Sequence, residues 1–178
     1  MQTLLRALEQ TIDALASAVE MRGPHTAHHQ HRVSNLAWAI AREMGLADDQ
    51  IEAVRIAGLI HDIGKMAVPA QILTKSSRLT EKEMALVRDH PHAAYDMLKD
   101  VEFPWPIVQI VLQHHERLDG SGYPQGLKRE EILLEARVLA VADIVEAMVS
   151  HRVHRSALVI RKAFEEIEAA RASCTTLR

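Results

Sequence analysis

The pair His61-Asp62 closes an apolar stretch that includes Leu59-Ile60, and Lys65 follows three residues later. At the foot of a buried helix, an adjacent imidazole and carboxylate offer one nitrogen and two oxygens to a metal ion, and the carboxylate can bridge two ions. Lys65 adds a positive charge within reach of any phosphate held there. Alone, a His-Asp pair is as easily a surface helix end. Four other stretches of this chain have the same character: the run His25, His28, His29 and His31; then His90-Pro91-His92; then His114-His115-Glu116; and Asp143 inside the apolar run Val138 to Met148. A carboxylate in such a run is costly unless an arginine or a metal pairs with it, and the unpaired imidazoles favour metal. His29 stands at the edge of the apolar face Val33, Leu36, Ala37, Ile40 and reads as a ligand. His25 shares that face if the helix begins near Thr26, which makes it an additional candidate. His28 and His31 read as surface residues.

The resulting set is His29, His61, Asp62, His90, His114, His115 and Asp143. A single ion needs about four ligands, so seven predict two ions with Asp62 between them. Mixed imidazole and carboxylate suits iron, manganese, zinc or nickel without choosing among them. Two such ions roughly 3.5–4 Å apart serve hydrolytic displacement at phosphorus, acidifying a water and neutralising the transition-state oxygens. Residues 118–126 hold three glycines and a proline, but they lack the lysine and hydroxyl residue of a phosphate-cradling loop.

These groups need helices to position them. Leu4, Leu5, Leu8, Ile12, Leu15 and Val19 predict an amphipathic helix over residues 1–21. It would pack on the domain, continue a coiled coil from an upstream sensor domain, or pair two subunits as a homodimer. Gly23-Pro24 breaks it, and the next helix is expected from Thr26 to Met44, stopped by Gly45. Asp48 or Asp49 should cap a third helix that ends at His61-Asp62. A loop follows, and then Thr80 and Glu83 form a capping box. His90-Pro91 restarts a helix, and Pro104 and Pro106 open another that ends at His114-His115-Glu116. Glu130 should open a long apolar helix through Asp143. A last helix is expected over about 156–172, packing by Leu158, Ile160, Phe164 and Ile167.

Composition agrees with an all-α protein of one domain plus its N-terminal helix, divided as 1–21 and 22–178. The chain has 178 residues, 48% of them apolar, with 7 Gly and 6 Pro. A net charge of −3 and 3% aromatic residues argue against a nucleic-acid polymer as partner. The lone Cys174 cannot close an internal disulfide, and no apolar run approaches the ~20 residues of a membrane span, so a cytoplasmic location without membrane insertion is expected.

His29 with Arg32-Val33, His61-Asp62-Ile63-Gly64-Lys65, His90-Pro91, His114-His115-Glu116, Asp119-Gly120-Ser121-Gly122-Tyr123-Pro124 and Val141-Ala142-Asp143, in this order, resemble the HD-GYP domain of the HD phosphohydrolases. The resemblance covers about residues 20 to 165. It implies a helical bundle with a metal centre in its core and a bacterial signalling phosphodiesterase that hydrolyses cyclic di-GMP to linear pGpG, GMP or both. It implies two or three metal ions, iron or manganese foremost. The seven residues above match its ligands. Lys65, Tyr123, Arg152 and Arg155 match positions that contact substrate, with Asp62 and Lys65 central to catalysis. His25 stands where members with a third metal have glutamate, which favours two ions here. Val153-His154-Arg155-Ser156 replaces the usual Pro-Tyr-Arg-Pro but keeps both arginines. Two other readings remain: an HD-GYP-like module that signals by binding, and an HD hydrolase of nucleoside phosphates. The intact ligand set argues against the first, and the extra histidines and Gly122-Tyr123-Pro124 against the second.

Overall fold

The structure is a computed structural model that describes residues 2–21 and 28–150, with side chains from Gln10 onward. His25, Arg152, Arg155 and the helix expected over 156–172 lie outside the described residues. Among the described residues eight α-helices run in order: α1 Gln2–Glu20, α2 His29–Glu43, α3 Asp48–Ile60, α4 Ala70–Leu73, α5 Glu81–Arg88, α6 His90–Leu98, α7 Ile107–Gln113 and α8 Leu134–Ser150. Tight 3-10 turns occupy Ile63–Ala67 and Arg129–Glu131. Among the described residues the only β-type pairing is one bridge between Asp119 and Lys128.

α3 is the central rod, touching α1, α2, α7 and α8. Its Ala53, Val54, Ile56, Ala57, Leu59 and Ile60 are all buried, more than one face of a surface helix would bury. α2 can lie close along it because Gly58 faces Ser34, where a Cβ would meet the Ser34 Cα at 2.7 Å. The Ser34 hydroxyl donates across the same contact to the Arg55 carbonyl at 2.7 Å. α8 packs against α2 and α3 along Ala136, Leu139, Ala142 and Glu146, a stripe of three- and four-residue steps. Ile12, Ala16 and Val19 of α1 are buried and α1 touches α3, so α1 joins the bundle core.

Several boundaries differ from expectation. α2 begins at His29, not Thr26, because His28 adopts a left-handed backbone with φ 68. Ala47 takes the cap position of α3, and Asp48 and Asp49 fall in its first turn, where carboxylates favour the helix dipole. The Ala47 N–H is satisfied by the Gln50 side chain at 3.3 Å. Glu130 lies in the second 3-10 turn, and the long helix begins only at Leu134. Thr80 does cap α5, with Thr80 and Glu83 bonding reciprocally. His90-Pro91 does start α6, where proline's missing N–H costs nothing.

Candidate metal centre

Each histidine of the site stands at a helix end, and local backbone aims three of them the same way. The His61 Nδ1 lies 2.8 Å from the Gly58 carbonyl, the His90 Nδ1 2.7 Å from that of Val87, and the His114 Nδ1 2.6 Å from that of Val111. A carbonyl only accepts, so each Nδ1 carries the proton and each Nε2 presents a lone pair. The three-residue spacing is the same each time. Each acceptor is a carbonyl in the last turn of its helix, and the ring N–H reaches back to it.

The lone pairs converge. The Nε2 atoms of His90 and His114 face each other at 3.4 Å, and the His61 Nε2 is buried without a hydrogen-bond partner. Opposed lone pairs repel, and a buried acceptor left without a donor is destabilising. A cation between them removes both penalties, so the donor set fits a metal. Three overlapping groups bring ligand atoms within 4.8 Å of one another: His29, His61 and Asp143; His61, Asp62 and His114; and His90, His114 and His115.

Asp62 lies between these groups. Its Oδ2 is 3.5 Å from the His61 Nε2 and its Oδ1 is 3.5 Å from the His90 Nε2. The Lys65 Nζ is 2.7 Å from Oδ2, and the Gln30 Nε2 donates to the same oxygen at 3.4 Å. Burial alone would raise the Asp62 carboxyl, but Lys65, His61 and His90 hold it well below the usual carboxylate range. It is therefore an anion in the absence of any ion. Burial lowers the pKa of His90 and His114, and brings His115 down to about 3, so all three are neutral imidazoles at pH 7.

His29 is held differently. Its Nε2 is 3.3 Å from Asp143 Oδ1, while its Nδ1 bonds the carboxylate of Glu146. Arg32 Nε donates to Glu146 at 2.6 Å, and the Ser150 hydroxyl bonds it as well. Burial would lower the His29 pKa, but Asp143, Asp62 and Glu146 outweigh it and raise it. Asp143 is partly exposed, with 19% of its side chain open, and it faces His29 and His61 instead of an arginine. His28 is exposed as expected, whereas His31 is only partly exposed and reaches Asp13 of α1 at 3.3 Å.

The loop over 118–126 leans on the cluster. Glu116, adjacent to two ligands in sequence, turns away from them and is buried. Its carboxylate accepts the backbone N–H groups of Gln125, Gly126 and Leu127 at 2.6, 3.1 and 3.0 Å. Gly122 is required where it is, since a Cβ would sit 2.4 Å from the Arg117 nitrogen. Tyr123 then lies on His115, ring centroids 4.8 Å apart at 30°, and burial pushes its hydroxyl up to about 12. Glu146, Gln30 and Glu116 are absent from the sequence-derived set. The only local signal was a carboxylate three residues after Asp143, one helical turn along α8.

The HD-domain family profile matches residues 13–175. The chain belongs to the HD-domain family. Its HD domain carries the motifs of the HD-GYP type, with His61-Asp62 and Gly122-Tyr123-Pro124 both beside the imidazole cluster. A cyclic di-GMP phosphodiesterase response regulator of Xanthomonas campestris pv. campestris is 38% identical over 164 residues, covering 91% of this chain and 43% of that protein. A 3′3′-cGAMP-specific phosphodiesterase of Vibrio cholerae is 35% identical over 161 residues, covering 90% of this chain and 35% of that protein. The chain therefore spans less than half the length of these curated relatives. Among solved structures, the HD domain of the L. monocytogenes phosphodiesterase PgpH, in complex with cyclic-di-AMP, aligns with a TM-score of 0.69 at 24% identity. That alignment covers 92% of this chain and 85% of that one, and it establishes a shared helical HD-domain fold. No helix among the described residues is long and apolar enough to cross a membrane.

Proposed function

We propose that this HD domain is a cyclic di-GMP phosphodiesterase that yields linear pGpG, GMP or both and is built on two divalent ions. The observation that carries the reading is Asp62, whose two oxygens face imidazoles of two different groups. His29, His61 and Asp143 would hold one ion, and His90, His114 and His115 the other, with Asp62 shared. The HD-GYP resemblance favours iron or manganese, while the donors themselves suit zinc and nickel as well. Bound there, the ions would supply an acidified water and neutralise the phosphoryl oxygens.

The protein's own groups do the rest. The backbone carbonyls hold the rings of His61, His90 and His114, and Glu146 holds that of His29, so that each Nε2 faces inward. Asp62, ionised and central, is the catalytic carboxylate. Lys65 stands at its edge as the cation that meets the substrate phosphate, exchanging its contact with Asp62 for a phosphoryl oxygen. A water oxygen bonds to phosphorus and the bond to the ribose 3′ oxygen breaks. Tyr123 offers a ring face beside the cluster. Arg152 and Arg155 are proposed as phosphate or guanine contacts on sequence alone. His25 is proposed to stay out of the centre, which leaves two ions and not three.

Residues 1–21 are proposed as the helix through which a sensor domain or a second subunit would act, and 22–178 as the cytoplasmic catalytic unit. The resemblance to a response regulator supports that arrangement. The test incubates anaerobically purified, iron- or manganese-loaded protein with cyclic di-GMP and separates products by chromatography. Linear product supports the proposal. Binding without turnover by metal-replete protein indicates a signalling module. Faster cleavage of a mononucleotide indicates a different HD hydrolase.

A further inference from the structure

A cyclic dinucleotide is wider than the imidazole cluster, so when one phosphate lies at Asp62 a base must extend beyond it. Ring contacts lead outward from the cluster. His90 and His115 lie 5.0 Å apart by ring centroids, Tyr123 lies 4.8 Å from His115, and the Arg88 guanidinium stands 5.7 Å over the Tyr123 ring. Beside Arg88 opens a cleft of about 900 Å³ lined by Arg78, Thr80, Glu81, Arg88, Asp89 and Pro124. Pro124 is the next residue of the same loop, so the cleft begins where the metal centre's wall ends.

Arg32, Arg55, Lys65, Lys75 and Lys99 each rest on a carboxylate. Among the described residues, Arg78 and Arg88 have no carboxylate partner. Arg88 is followed directly by Asp89, which touches only His92 by ion pair, at 3.1 Å. A rigid fork of donors beside an exposed carboxylate complements a purine that shows two acceptors next to two donors.

We infer that this cleft is a guanine subsite, an inference that rests on the proposed cyclic dinucleotide activity. Arg88 donates to the O6 and N7 of the base, and Asp89 accepts from its N1–H and N2–H₂. Adenine places an amino group where guanine has O6, so it opposes the Arg88 donors. The subsite thus gives the chain a preference for guanine over adenine at this position.

Steady-state hydrolysis of cyclic di-GMP, 3′3′-cGAMP and cyclic di-AMP by metal-loaded wild type, Arg88→Ala, Arg88→Lys and Asp89→Asn tests it. Equilibrium binding of the same nucleotides to chelator-treated protein gives a second readout, and metal content a control. Arg88→Ala should raise KM for cyclic di-GMP about tenfold to a hundredfold, the range for one bidentate base contact. It should leave kcat within about threefold and metal content unchanged, and discrimination against cyclic di-AMP should collapse. Arg88→Lys keeps the charge but not the fork, and should not restore discrimination. Equal losses for all three nucleotides would reveal a phosphate contact and overturn the base subsite. So would an unchanged KM and binding constant in Arg88→Ala alongside active wild type. If wild type neither binds nor cleaves any cyclic dinucleotide, the proposed function fails and the subsite with it.

Discussion

Removing the Glu146 carboxylate should weaken one metal site and spare the other. Three site histidines lean on their own helix backbone, but His29 leans on Glu146, which Arg32 and Ser150 hold in turn. Glu146 is 6% exposed and His29 5% exposed, so water cannot readily replace the lost bond. In Glu146→Ala the His29 ring N–H loses its Glu146 acceptor, costing about 1–3 kcal/mol. The Arg32 side chain is 40% exposed, so losing its partner adds little after solvent screening. Outer carboxylates of this kind are worth about 10–100-fold in metal affinity, or roughly 1.4–2.8 kcal/mol. That loss should fall on the ion held by His29, His61 and Asp143. The group His90, His114 and His115 makes no contact with Glu146 and should keep its ion. Glu146→Gln retains an acceptor oxygen but no charge and should lie between. The assay is metal content after equilibration in buffered free metal, with activity measured again at saturating metal. Occupancy should fall toward one ion per chain and recover with excess metal. Equal loss from both sites, or wild-type affinity in Glu146→Ala, would refute the reasoning.

Gly64→Ala should disrupt the centre from the backbone side: its Cβ would lie 1.8 Å from the His90 carbonyl oxygen and 2.6 Å from the Ala94 nitrogen. Overpacking of this kind costs about 1–3 kcal/mol or more, and unchanged melting temperature and metal content would contradict it. Glu116→Ala releases three loop N–H groups, and hydrogen bonds to a charged acceptor are each worth about 1.5–3 kcal/mol. It should raise KM for the cyclic dinucleotide at unchanged metal content, and metal loss would show Glu116 to be a ligand. In metal-free protein, burial lowers the pKa of His90, His114 and His115 from the ordinary 6.5, so the folded chain binds fewer protons there than the unfolded chain. Their contribution is complete above pH 6.5 and declines as pH falls toward about 3, where His115 titrates. Asp62 and Asp143, both depressed, lose theirs as pH falls below the ordinary 3.8, whereas His29, raised, contributes fully below pH 6.5 and loses its share above. Melting temperature of chelated protein should therefore fall on acidification below pH 6.5, and a rise would contradict the balance.

The convergence of these imidazoles and carboxylates was readable in sequence because its geometry is largely local. A histidine at a helix end finds a carbonyl three residues back, so placing His61, His90 and His114 at helix boundaries nearly determines where each Nε2 points. Pro91 marked the boundary at His90, and Pro106 marked the opposite end of the helix that His114 closes. Contacts between distant segments were not readable. Glu146 meets His29 across 117 positions and Gln30 meets Asp62 across 32, and nothing near either residue announces its partner. Adjacency misled at Glu116, which continues a run of ligand types yet points to the loop. The start of α2 was misplaced because the left-handed backbone at His28 has no glycine to announce it. The start of α8 was misplaced because Glu130 and Glu131 satisfy a first-turn pattern that the chain uses for a 3-10 turn.

The account turns on Asp62 as the carboxylate shared by two ions, and anomalous diffraction from crystals of iron- or manganese-loaded protein tests that most directly. It predicts two anomalous peaks, one among His29, His61 and Asp143 and one among His90, His114 and His115, each within bonding distance of a different Asp62 oxygen. In crystals of Asp62→Ala both peaks should be lost or strongly reduced. A single peak, or two peaks whose heights survive Asp62→Ala, would contradict the shared carboxylate and the two-metal phosphodiesterase built on it.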